Sequence, residues 1–500
     1  MFSQRSACRS CAMAVVLAAL ALVSGCGQQQ VAGNRLTVGM VLEPPGLDPT
    51  TGAASAIGEV VLYNVFETLT KIQQDGSVLP LLAQRWESSP DQKTWTFHLR
   101  QDVRFHNGEP FDASTVKYAF ERAAAQNSTN KDKLLFTGFE RIETPDAFTV
   151  VLHGRVPNPD LPFLLGQATA VIIEPETVAG NAVNPVGTGP YQLADWQKGA
   201  SLTLKKWEAY RSAANITLQN VTFRFISDAA AQSAALLAGD IDLFPRAQVT
   251  RNIQQFKGDN RFQVLVGGSR AKTIMAMNNG RKPLDDVRVR RAISMAIDRQ
   301  AVIQGAADGF GVPIGSFYVP GAPGYVDTTG VSPYDPEKAR ALLTDAGITD
   351  LSLSMKLPPT PYAKQGGEVI AALLAKVGIT VKLESVEWAQ WLSQVYGKKD
   401  YDLTIISHVE PFDFGNFAKP DYYWNYRSPA FDALYARMLQ TGNEQERAGL
   451  LAQAQRLVAE EAVAVYLYQP QWITVANSKL QGLWQDMPVF VNDLSVLRWQ

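Results

Sequence analysis

An apolar run from Ala12 to Val23 follows Arg5 and Arg9 and ends in Val23-Ser24-Gly25-Cys26, and beyond Cys26 the chain contains no cysteine. A basic start, a short apolar core and then small residues are the layout of a cleaved secretory signal. The core is too short to span a bilayer. A cysteine directly after the small residues resembles the bacterial lipobox, so residues 1–25 are expected to leave as a signal peptide and Cys26 to carry acyl chains. Each buried CH₂ of such chains contributes roughly 0.8 kcal/mol, enough with several chains to hold a protein on a membrane without a spanning helix. Cys8 and Cys11 form a C-x-x-C, but inside the expected signal. The mature chain therefore has no disulfide and depends on its cores.

Of 46 basic and 48 acidic residues, removal of Arg5 and Arg9 leaves 44 against 48, a formal charge of minus four. Without a basic run this balance argues against a nucleic-acid partner. Forty-six per cent apolar residues and ten tryptophans supply large cores, and 500 residues should divide into two or more lobes. Gln28 to Asn34 reads as a short tether, and no solenoid repeat is present.

Strand and helix patterns alternate along the chain. Leu36 to Val41 reads as a strand, Ile57 to Leu69 as a helix, and Trp95, Phe97 and Leu99 as the buried face of another strand. Asp112 caps a helix whose Val116, Ala119, Phe120 and Ala123 share one side. Ser227 begins a helix that stops at Gly239, with a strand edge at Asp240 to Leu243. A further helix runs through Val289, Ile293, Ala296 and Ile297, and Asp335-Pro336 opens one that Gly347 closes. Strands at Leu351 to Leu357, Ile379 to Leu383 and Tyr401 to Ile406, with a helix from Gly367 to Val377, complete a second α/β region.

Catalytic signatures are sparse. The histidines His98, His106, His153 and His408 lack metal-site spacing, and H-E-x-x-H is absent. Gly267-Gly268-Ser269-Arg270-Ala271 lacks the last glycine of a nucleophile elbow. Val186-Gly187-Thr188-Gly189-Pro190-Tyr191 lacks the Gly-Lys-Ser/Thr of a phosphate loop. Two carboxylates meeting in a cleft as a glycosidase pair stay open as an alternative. Aromatic and polar residues do cluster between Trp388 and Tyr426, the mixture a small-molecule cleft requires. Trp388 and Trp391, three apart, equally suit the inner side of a helix, whereas His408 follows a strand at the end where α/β sheets bind ligands.

Seven stretches carry a family resemblance. They are Tyr63 to Leu69, Trp95 to Arg100 with Val103 to Gly108, Val186 to Tyr191, Gly239 to Asp242, Arg291 to Arg299, Ala341 to Leu343 with Ala346-Gly347, and Val377 to Ile379. Together the chain resembles the dipeptide, oligopeptide and nickel-binding family of extracytoplasmic solute-binding proteins. The resemblance implies a two-lobed α/β periplasmic-binding-protein-like fold of type II, hinged, with a subdomain inserted in the first lobe. On that scheme 26–34 is a lipid-anchored tether, 35–72 with 186–276 and 470–500 is lobe I, 73–185 the insertion and 277–469 lobe II.

The implied function is capture of a small solute between the lobes for delivery to a membrane permease with cytoplasmic ATPases, by a monomer without cofactor, metal or catalytic residues. Peptide-binding relatives pair the peptide amine with an aspartate shortly after a tryptophan. Here that stretch reads Ser407-His408-Val409-Glu410-Pro411-Phe412-Asp413, so the tryptophan is missing and the acid is shifted. Glu410 or Asp413 is expected to meet an ammonium group, which favours a peptide or amino-acid-derived solute. The expected ligand-binding residues are Trp388, Trp391, His408, Glu410, Phe412, Asp413, Phe414 and Tyr423. A sugar, an opine or a metal chelate, or a secreted hydrolase with acids in the cleft, are the alternatives.

Overall fold

The computed structural model describes residues 34–500 except Ala53, so Cys26 and the expected signal lie outside the described residues. In the first lobe Arg35–Met40 pairs in parallel with Asn220–Phe225 and with Leu243–Phe244. Asn220–Phe225 continues antiparallel to Ser201–Lys206, which pairs with Tyr191–Gln197. Apolar residues such as Phe66, Tyr191 and Phe223 are buried beneath this sheet, each contributing roughly 1.5–3 kcal/mol.

Family-resembling stretches hold this lobe together. Arg211 donates in a fork to the buried Glu67 carboxylate at 2.6 and 2.7 Å, while Thr188 Oγ1 and Tyr210 Oη donate to it at 2.9 and 3.0 Å. Asn64 Nδ2 donates to the carbonyls of Val60 and Asn492, and its Oδ1 accepts from the Leu494 amide. The glycine-rich turn is thus a structural clasp. The segment expected to be helical to Leu69 is helical only over Ser55–Val61, with Tyr63 in the left-handed region at φ 61°. The reason is tertiary: the Asn64 and Val65 carbonyls turn away to accept the Tyr191 and Gly189 amides, each at 2.9 Å.

The inserted segment builds a separate four-stranded antiparallel sheet, in the order Ala83–Ser88, Thr94–Leu99, Thr149–Gly154, Phe139–Asp146. Trp95, Phe97 and Leu99 face inward as their alternation requires. Helix Ala113–Ala124 lies on the sheet, capped by Asp112, which accepts from the Ser114 and Thr115 amides. Its buried side includes Val116, Ala119, Phe120 and Ala123.

In the second lobe Leu351–Leu357 pairs in parallel with Ile379–Ser385 and Leu403–His408, and the latter pairs antiparallel with Lys272–Met277. Helix Pro361–Ala375 begins before the expected Gly367, because Pro361 suits a first helical turn. Helix Pro336–Asp345 starts where expected, its cap Asp335 accepting from the Lys338 amide.

Two crossings join the lobes. The long strand Ala464–Asn477 pairs with Lys272–Met277 at its start and with Phe262–Gly268 at its end, merging both lobes into one twelve-stranded sheet. Between Gly268 and Lys272 the chain passes from one lobe to the other, ahead of the 276/277 division drawn from the sequence. Gln469 braces the crossings by donating to the carbonyls of Ser269 at 2.6 Å and Pro320 at 3.0 Å.

Candidate binding site between the lobes

Lys272 opens its strand opposite His408, the last residue of Leu403–His408, so two polar side chains meet where the sheet faces the gap. The loop after His408 turns at Phe412, whose φ of 58° lies in the left-handed region, and leads into a turn of 3₁₀-helix at Asp413–Ala418. That reversal brings Asp413 back under the loop. Lys272 Nζ donates to Asp413 Oδ1 and to the Glu410 carbonyl, both at 2.6 Å, and sits 4.8 Å from the centre of the Phe317 ring.

Burial and the Lys272 charge push the His408 imidazole down to about 3, so it is neutral, with Nε2 and Tyr423 Oη 2.9 Å apart. Burial pushes the Asp413 carboxyl up to about 6 against the pull of Lys272. His408, Glu410 and Asp413 bring ligand atoms within 4.8 Å of one another, the one such group among the described residues. A dication there would lie beside the Lys272 ammonium that already occupies Asp413, so the donor set suits a salt-bridged network better than a metal.

Above this network a cavity opens between the lobes. Ile57, Thr169, Trp472 and Phe490 form one wall, Glu410 and Pro411 the other, and Arg270 lies at the crossing. Trp472 and Phe490 stand 5.3 Å apart with the Arg246 guanidinium over both rings. Arg246 in turn is paired with the buried Glu59. The result is an aromatic wall on a fixed cationic support facing a carboxylate.

Of the eight residues singled out from the sequence, Glu410 alone lines this cavity. Phe412 and Asp413 line a smaller adjoining cavity together with Arg270 and Lys272. Trp391 is buried in the second lobe and donates from Nε1 to Thr404 Oγ1 at 2.9 Å. His408, Phe414 and Tyr423 are likewise buried, Phe414 packing on Phe417 and Phe431, whereas Trp388 is 42 % exposed against Trp391. The aromatic richness of Trp388 to Tyr426 thus belongs chiefly to a core. Arg270, Trp472 and Phe490 were not singled out; an arginine in an irregular crossing segment was the available signal for the first.

Residues 77–428 match the family of bacterial extracellular solute-binding proteins, family 5. The dipeptide-binding protein of Escherichia coli K12 is 29% identical over 490 residues, covering 88% of this chain and 90% of the relative. The glutathione-binding protein GsiB of Salmonella paratyphi A is 27% identical over 461 residues, with 88% and 89% covered. Among solved structures, AgaA of A. tumefaciens R10 in complex with agropinic acid superposes with a TM-score of 0.76 at 26% identity, over 93% of this chain and 99% of that one. HbpA2 of Haemophilus parasuis, at 22% identity, shares the fold with a TM-score of 0.85, over 93% and 100%. Fold, cleft and sequence agree: the chain belongs to family 5 of the bacterial extracellular solute-binding proteins, the extracytoplasmic substrate-binding components of ABC importers.

Proposed function

We propose that this protein captures a peptide or amino-acid-derived solute in the cavity between the lobes and presents it to a membrane permease. The observation that carries the reading is Glu410. Among the described residues its carboxylate accepts only from the neighbouring Val409 amide, at 3.2 Å, and it faces a cavity lined from both lobes. A charge-assisted bond to a ligand ammonium would anchor one end, while Trp472 and Phe490 cover apolar parts. Relatives named for dipeptides and glutathione favour such a ligand, and the agropinic acid complex keeps an opine as the second reading.

A solute touching both lobes binds best when they close on it, so closure reports occupancy to the permease. The protein acts by holding its ligand and not by converting it. The acids of the cleft support this: Asp413 is committed to Lys272, and Asp132 accepts from Thr169 Oγ1 at 2.6 Å. The division into two lobes with 73–185 as an insertion, the monomeric state and the lipid anchor at Cys26 are parts of the same proposal.

Native mass spectrometry of the purified protein, followed by release of the bound molecule, tests it. A peptide or opine recovered intact supports the reading; a sugar, or a product released on incubation, overturns it. Cys26→Ser should move the protein from the membrane to the soluble fraction with affinity unchanged, and continued membrane association would exclude the anchor.

A further inference from the structure

The geometry points to Arg270 as the receptor for a carboxylate of the solute, which makes the cavity a site for a zwitterion. This rests on the reading of the cavity as a peptide or amino-acid site. Four charged side chains line it: Lys131, Asp132, Arg270 and Glu410. Lys131 and Asp132 pair with each other at 3.7 Å. Glu410 has only the adjacent amide, and the Arg270 guanidinium has no ion pair and no hydrogen bond with the described residues. The uncommitted charges are therefore one anion and one cation.

The surroundings of Arg270 fit a receptor role. Burial pulls its pKa down from the usual arginine value, with Tyr318, Asp486 and Asp75 opposing from a distance. A guanidinium stripped of water without a partner carries a desolvation cost that a ligand carboxylate would relieve. Gly76, in the left-handed region at φ 83°, leaves bare backbone beneath it; a Cβ there would strike Nη2. With no acceptor among the described residues, the guanidinium keeps N–H donors that a ligand carboxylate can take.

Position adds a second consequence. Arg270 lies in the segment between Gly268 and Lys272 where the chain changes lobe, and Glu410 lies on the second lobe. A solute bridging them engages the crossing itself. Both residues line one cavity, so a single solute with an ammonium and a carboxylate can meet both.

The test is titration of the purified protein by calorimetry and thermal shift with three pools: dipeptides and tripeptides with free ends, the same pool amidated at the C-terminus, and the same pool acetylated at the N-terminus. The wild type should favour free-ended peptides over amidated ones by about tenfold or more. Arg270→Gln should erase that preference yet retain the preference over acetylated peptides, and Arg270→Lys should keep part of it. Equal binding of acid and amide by the wild type overturns the assignment, as does an Arg270→Gln protein that still discriminates. Should Arg270→Gln melt early, the wild type and Arg270→Lys decide alone. A wild type that discriminates at the amine but not at the carboxyl end marks failure of the Arg270 assignment with the peptide reading intact. No binding of any pool overturns both.

Discussion

Arg447 Nη2 donates to both carboxylate oxygens of Asp160 at 2.8 Å, joining the second lobe to the inserted subdomain. Nearby, Phe163 meets Phe412 edge to face with ring centres 4.9 Å apart. Burial raises the Asp160 carboxyl above its usual range and Arg447 opposes that shift. Such contacts exist only in lobe arrangements that bring the insertion against the 409–413 loop. Arg447→Gln should therefore loosen the empty protein, by about 1 kcal/mol for a pair still partly open to solvent, and raise its radius of gyration in small-angle scattering. An unchanged scattering profile and an unchanged ligand dissociation rate would show that the pair has no part in lobe motion.

The two acids of the loop should separate cleanly. Glu410→Gln should weaken binding of free-amine peptides about tenfold and leave the melting of the empty protein nearly unchanged, because Glu410 is exposed and bonded only to its neighbour's amide. Asp413→Asn should lower stability by roughly 3 kcal/mol, since it strands the buried Lys272 ammonium. Thermal unfolding and calorimetry on both variants check this. An early-melting Glu410→Gln with normal affinity would reverse the assignment.

Histidine burial predicts a pH dependence. His408 and His106 are held down to about 3 and about 4 from 6.5, desolvation being the first cause for each. The His106 tautomer is set by its bonds: the Gly187 amide donates to Nδ1, and Nε2 donates to the Gly189 carbonyl. A folded pKa below the unfolded one means that the unfolded chain binds more protons across the interval. The contribution of the two groups to stability therefore rises with pH from about 4 to 6.5, by up to about 1.4 kcal/mol per pH unit for each histidine. The raised Asp413 carboxyl opposes this, its contribution falling with pH from 3.8 to about 6. Imidazole proton resonances of His106 and His408 that show no titration between pH 5.5 and 8 would agree; a midpoint near 6.5 for either would refute its burial.

The α/β order was legible because local signals coincide with tertiary ones. Asp112 and Asp335 cap the helices they precede, Gly239 takes the left-handed turn that ends a third, whose cap is Asp228 one residue past the expected Ser227, and Trp95, Phe97 and Leu99 alternate inward. The Tyr63 to Leu69 segment misled because its carbonyls are claimed by Gly189 and Tyr191, partners that periodicity cannot reveal. Glu410 was named from the family resemblance, as a counterpart of the relatives' amine-binding aspartate, and the structure places it in the lining of the cavity. The rings of Trp391 and Tyr423 carry the composition of a cleft but point into a core, and a list of residue types does not distinguish the two. The opposite wall is assembled from Ile57, Thr169, Trp472 and Phe490, which only the crossing strands bring together.

Gly189 sharpens the distinction between the clasp and a ligand loop. A Cβ at this position would fall against the Asn64 carbonyl and the backbone of Val65, and neither can rotate aside as a side chain would. The same backbone carries the bonds from Gly189 to Val65 and from Tyr191 to Asn64, and it leads into Glu67, the centre of the Arg211 fork. Gly189→Ala should therefore cost roughly 3 kcal/mol or more, the upper range for overpacking. Gly180 is the control: it has no positive φ and a Cβ there meets nothing within 4 Å, so Gly180→Ala should stay within about 1 kcal/mol of wild type, on the stabilising side. Denaturant unfolding of the two variants decides the matter. A Gly189→Ala protein as stable as wild type would mean that the turn yields, and that its glycines serve something other than the close approach of two backbones.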